Sequence, residues 1–131
     1  MGLFGSRKEN SLIKKAYELY NQGKYWEALE CYDEIILKID SESFKAWFGK
    51  GVTLRELGKY QEALEANDKA LKLNPNDIEA WYNKGIILKE LGKYRDELKA
   101  YDKTLELNPK HMAHYNVKDL LMGFLRNMMK H

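Results

Sequence analysis

The chain has 131 residues, enough for a modest core but not for several large domains. Its 22 Lys and Arg nearly balance 20 Asp and Glu, and the resulting formal charge of +2 excludes the clustered, uncompensated cations of a nucleic-acid binder. A single cysteine, Cys31, excludes an intramolecular disulfide and a cysteine-built zinc site, and no apolar run approaches the ~20 residues of a membrane span.

Residues 1–8 read as a flexible tail. Their opening, MGLFGS, also fits the N-myristoylation pattern through Gly2 and Ser6, and the tail is the reading kept. A first helix is expected over 10–22, where Leu12, Ala16 and Leu19 share one face. It stops at the heptapeptide GKYWEAL, Gly23 to Leu29, and a second helix follows over 26–40. The third helix, 44–57, carries Trp47, Gly51 and Leu54 on one face, and Gly58 after Leu57 reads as a left-handed stop. GKYQEAL, Gly58 to Leu64, opens a fourth helix over 60–73, which closes at Pro75. The fifth, 78–91, repeats the third as Trp81, Gly85 and Leu88, and GKYRDEL, Gly92 to Leu98, opens the sixth over 94–107. An amphipathic seventh helix is expected over 112–129.

The spacing is regular. Gly58 to Gly92, Trp47 to Trp81 and Pro75 to Pro109 are each 34 residues, whereas Gly23 to Gly58 is 35. The first unit therefore carries one extra residue, placed near Ile35 or Ile36. A fixed period of this length marks a repeat array. Each unit is a helix, a tight turn and a second helix, with Gly51 and Ala63 small enough to let the two approach. Trp47 and Trp81 are expected to fill space between neighbouring units.

These residues resemble the tetratricopeptide repeat: Trp47, Gly51, Leu54, Gly58, Tyr60, Ala63, Ala70 and Pro75 in the second unit, with in-register copies either side. The resemblance implies an all-α fold, a right-handed α-solenoid of antiparallel helix pairs. Its three units would span about 9–43, 44–77 and 78–111, with 112–131 as a capping helix. Lys15, Lys50 and Lys84 depart from the usual leucine, Ser41 replaces the first proline, and Glu97 and Thr104 replace two alanines. A carboxylate at the close-approach site of Glu97 must either stay wet, leaving a loose end, or find a cation such as Lys118.

The resemblance also implies a concave groove lined by the first helix of each unit and holding a peptide or helix of a partner protein. Carried onto this chain, the groove residues are Lys14, Tyr17, Tyr20 and Asn21, then Lys45, Phe48, Val52, Arg55 and Glu56, then Glu79, Tyr82, Asn83, Ile86, Lys89 and Glu90. They form an apolar, aromatic stripe with a rim of both signs. Relatives that clamp the acidic termini of heat-shock chaperones use two lysines, two asparagines and an arginine. The matching sites here hold Ile13, Tyr17, Gly49, Glu79 and Asn83, so that role is not expected.

No catalytic constellation is present in the sequence. His111 and His114 lack a third ligand, GKY is not a phosphate loop, and the Glu–Lys pairs suit solvated helix faces. The expectation is a cytoplasmic, non-enzymatic interaction module with no cofactor or metal, no nucleic acid and no membrane span. The alternative is a structural or assembly protein that self-associates through its C-terminal helix or last repeat, with the chain a monomer or weak homo-oligomer via 112–129.

Overall fold

The computed structural model describes residues 3–109 and 117–129, with side chains from 7 to 109 and from 122 to 129. Among them stand seven α-helices and no strand: α1 (Leu3–Asn21), α2 (Tyr25–Glu34), α3 (Phe44–Glu56), α4 (Tyr60–Leu73), α5 (Ile78–Glu90), α6 (Tyr94–Leu107) and α7 (Val117–Met129). The chain forms two compact units, Met1–Asn74 and Pro75–His131. In the first, α1 packs on α2, α2 on α3 and α3 on α4; in the second, α5 packs on α6 and α6 on α7.

The three GKY turns share one geometry. Gly23, Gly58 and Gly92 have φ of 77°, 78° and 74°, the left-handed region that only glycine enters without strain. In each, the glycine N–H donates three residues back and the following lysine N–H five back, as in Lys59 to Leu54 at 2.9 Å. Those bonds satisfy the last carbonyls of α1, α3 and α5 and turn the chain into the next helix. At the opposite end, Ser43 and Asp77 cap α3 and α5 by accepting from the N–H of Ala46 and Ala80.

The expected tail is a correction. α1 begins at Leu3, not near residue 10, so residues 3–8 belong to a helix. No proline breaks this stretch, and Glu9 anchors it by accepting the Ser43 hydroxyl at 2.8 Å at the head of α3. Residues 110–116 lie outside the described residues, so α7 is described from Val117, and His111 and His114 fall outside as well.

The extra residue of the first unit lands where the spacing placed it. After Glu34 the chain widens into a π-helix, Ile35–Ile39, closed by Asp40 N–H donating to the Ile35 carbonyl at 2.8 Å. Ile35 remains fully buried, with Ile36 and Ile39 packed on the same core, while Leu37 is pushed into solvent.

Trp47 and Trp81 are half-buried, and each indole N–H donates to its own preceding loop, at Ser41 and Pro75 respectively. Lys50 and Lys84 lie over those rings at 5.5 Å, and Lys50 also pairs with Asp33 at 2.8 Å. The lysines that replace the usual leucine thus set their ammonium groups over the indole faces.

In the second unit Tyr101 is buried against α5 at Gly85, where a Cβ would collide with its ring. α7 reaches the other side of that ring through Gly123. Glu97 is 0% exposed and is held by a bidentate pair with Arg126, whose Nε donates to Oε1 at 3.0 Å and whose second nitrogen donates to Oε2. The glutamate has found its cation, and it is Arg126. The same guanidinium stacks over Tyr94 at 5.7 Å.

Candidate functional site

The first unit contains an apolar pocket of about 260 Å³. From α1 come Ile13, Tyr17 and Tyr20, at spacings of four and three, so they form one stripe. From α3 come two adjacent stripes, Phe44, Phe48 and Val52 beside Lys45, Gly49 and Thr53. Tyr32 of α2 enters between them.

Each wall has a local cause. Tyr32 is 7% exposed, and a Cβ at Gly49 would fall on its ring, so glycine at 49 is what admits the phenol. Phe44 and Phe48, one turn apart, stack with centroids 5.8 Å apart and planes within 9°. Thr53 donates its hydroxyl to the Gly49 carbonyl at 2.7 Å, which satisfies it and leaves a methyl for the wall. Burial pushes the Tyr32 hydroxyl up to about 12, with smaller contributions from Cys31, Tyr20 and Tyr17, so it stays a neutral phenol at physiological pH. Lys45 is the one charged lining residue.

Through Tyr20 the pocket lining connects to a polar cluster. The Tyr20 hydroxyl is raised above its ordinary range by burial and by Glu56, to which it donates a hydrogen bond. Glu56 in turn pairs with Arg55 at 3.0 Å, and Tyr20 meets Tyr25 edge to face at 5.2 Å. Arg55 and Glu56, expected on a rim of both signs, pair with each other in the first unit.

Of the residues expected to line a groove, Tyr17, Tyr20, Lys45, Phe48 and Val52 come together here, and Tyr17 stays 63% exposed. Asn21 is exposed at the end of α1 but does not line the pocket. Tyr82, Asn83, Ile86 and Lys89 lie on α5 in the second unit. There Tyr82 leans on Tyr101 at 5.7 Å, Asn83 is buried, and Ile86 and Lys89 are half-buried. Sequence reasoning left Phe44, Tyr32, Gly49, Thr53 and Ile13 out of the groove. One signal was available: a large aromatic on the second helix, Tyr32 or Tyr101, is matched by a glycine on a first helix, Gly49 or Gly85. Three of the chaperone-clamp positions, Ile13, Tyr17 and Gly49, are walls of this apolar pocket, where a clamp would need lysine and asparagine.

Family models described as tetratricopeptide repeat match residues 11–33, 44–77 and 66–99. The chain belongs to the tetratricopeptide repeat family. The fold class follows, an all-α helical-repeat solenoid. An uncharacterized protein of Methanocaldococcus jannaschii is 37% identical over 59 residues, 45% of this chain and 67% of that protein. The first TPR of Spaghetti (RPAP3), solved bound to the HSP90 peptide SRMEEVD, is 24% identical with a TM-score of 0.83, covering 95% of this chain and 94% of that one. The TPR2B domain of yeast Sti1, solved in complex with pHsp70, is 17% identical with a TM-score of 0.81, covering 95% and 99%. At these identities the likeness is one of fold. No helix of the described residues is long and apolar enough to cross a membrane.

Proposed function

We propose that this tetratricopeptide repeat protein is a non-enzymatic interaction module that holds a segment of a partner protein, gripped in its first unit by the pocket between α1 and α3. The supporting observation is an open apolar pocket walled by the exposed Tyr17 and the Phe44–Phe48 stack. An apolar surface left open in this way is unfavourable unless a ligand covers it. Solved structures of the same fold hold partners, the Spaghetti domain an HSP90 peptide and the Sti1 domain pHsp70. The residues at the clamp positions argue for a different peptide chemistry from an acidic chain terminus. A cytoplasmic setting belongs to the same proposal and rests on the unpaired thiol of Cys31.

Peptide display on the purified chain, with fluorescence anisotropy of enriched peptides, tests this reading. Affinity should be about micromolar, because ordering a flexible peptide offsets much of the contact energy. A Tyr17→Ala/Phe48→Ala variant with unchanged circular dichroism should bind about tenfold or more weakly, as loss of two ring contacts at a small interface implies. Failure to enrich any peptide, or equal binding by the variant, would reject it.

A second reading is self-association through α7, favoured by one observation. Phe124, Met128 and Met129 of that helix are exposed. Light scattering after gel filtration separates the two, since a monomer at high concentration removes the second.

A further inference from the structure

The pocket of the first unit is more selective in its chemistry than a general peptide groove. Its volume of about 260 Å³ falls below the roughly 300–1,000 Å³ of sites that enclose a drug-sized ligand, and suits a single large side chain. The stacked Phe44 and Phe48 offer a flat apolar wall, and Thr53 presents no free hydroxyl because it is bonded to Gly49. Lys45 is the one charge in the lining; it is exposed and makes no ion pair among the described residues. Glu56, which reaches the lining only through its bond with Tyr20, is engaged by Arg55 as well and leaves Lys45 uncompensated.

We propose that this pocket takes one leucine, methionine or phenylalanine side chain from an internal segment of a partner protein, with an aspartate or glutamate beside it held by Lys45. The proposal rests on the peptide-binding reading above and narrows it. A chain terminus is a poorer match, since both oxygens of a terminal carboxylate want converging donors and the wall supplies one ammonium. A second copy of this chain is also a poorer match. The exposed apolar stretch of α7, Met122 to Met129, carries no carboxylate to answer Lys45, and its one cation, Arg126, is already engaged by Glu97.

Amidated eight-residue peptide pools with a fixed centre of Phe, Leu or Ala and flanks of Asp or Lys test the proposal by fluorescence anisotropy. The Phe and Leu pools with Asp flanks should bind at least about tenfold tighter than the Ala pool, and tighter than the same centres with Lys flanks. Lys45→Glu, a surface change, should invert the flank preference and leave circular dichroism unchanged. Phe-centred pools that bind equally with either flank, or a Lys45→Glu variant with no inversion, would overturn the charge assignment while the peptide-binding reading stands. Equal binding of Ala and Phe centres would overturn the anchor. Free-acid pools that outbind their amides tenfold would assign the carboxylate to a chain terminus instead, and a concentration-dependent dimer abolished by Lys45→Glu would assign the pocket to a second copy. Absence of binding by every pool, with displayed peptides also failing to enrich, would reject both readings together.

Discussion

Two kinds of glycine act differently at the scale of single residues. Gly58 sits at φ 78° with open space around its missing Cβ, so Gly58→Ala meets only backbone strain and should lose about 1 kcal/mol. Gly49 is a helical residue whose added Cβ would strike the Tyr32 ring, so Gly49→Ala should lose about 1–3 kcal/mol through overpacking and disturb the pocket as well. Urea denaturation of the two variants checks the order, and a Gly49→Ala variant as stable as the parent would contradict the placement of Tyr32. Gly58 was legible because three copies of one heptapeptide put glycine after the end of a helix. Gly49 was not, because its requirement comes from a ring on another helix and exists only once the two pack. Tyr32 carries a pH consequence. Its hydroxyl titrates near 12 in the fold against about 10 unfolded, so the native state holds a proton that the unfolded state has released. The associated stability is complete below about pH 10 and falls by up to about 3 kcal/mol as pH rises to 12. Tyr32→Phe should retain more of its neutral-pH stability across that window than the parent; parallel alkaline titrations by fluorescence would refute this.

Among the elements, the second helix shows how a repeat absorbs an insertion. The count of residues between Gly23 and Gly58 showed a surplus, and matching EALECYDEIILKID to EALEANDKALKLN placed it near Ile35 or Ile36, but neither says what form it takes. The form follows from packing: Ile35, Ile36 and Ile39 all belong to the apolar cluster of the first unit, so the backbone widens by one residue and ejects Leu37. Deleting Leu37 should convert the π segment to α-helix at 34-residue spacing, with a stability change within about 1 kcal/mol. Deleting the buried Ala66 from α4, which has no surplus residue, would rotate every later side chain of that helix by about 100° and should prevent folding of the first unit. Thermal melts of the two deletions distinguish a tolerated insertion from a required one; equal damage would count against it. The lysines at 50 and 84 teach a related lesson. From sequence they looked like departures from a leucine position, and in the fold they cover the tryptophans one turn before them.

For the molecule as a whole, the repeat class and the helix order were legible because period, turn and small-residue contacts agreed. The attachment of the last helix was not. The sequence left Glu97 two outcomes, a wet carboxylate on a loose end or a cation such as Lys118, and which of them holds depends on the rotation of α7. Gly123 sets that rotation by letting α7 approach the Tyr101 ring, and Arg126, three residues on, then falls on Glu97. The hydrogen bonds to Glu97 hold the Arg126 guanidinium above its ordinary range, with burial opposing them. The two ends of this pair are not equivalent. Glu97 is fully buried, whereas Arg126 keeps about a quarter of its side chain in water. Arg126→Ala strands a carboxylate without a partner and should lose about 3–5 kcal/mol from the second unit. Glu97→Ala, which restores the residue found at Ala28 and Ala63, leaves a guanidinium able to turn to solvent and should lose less. Hydrogen exchange reads the outcome directly. In Arg126→Ala, protection over 117–129 should collapse while that over 44–73 persists, and Glu97→Ala should retain intermediate protection. Full protection of 117–129 in Arg126→Ala would show that the ion pair does not hold the helix, and that the contact of Gly123 with Tyr101 suffices.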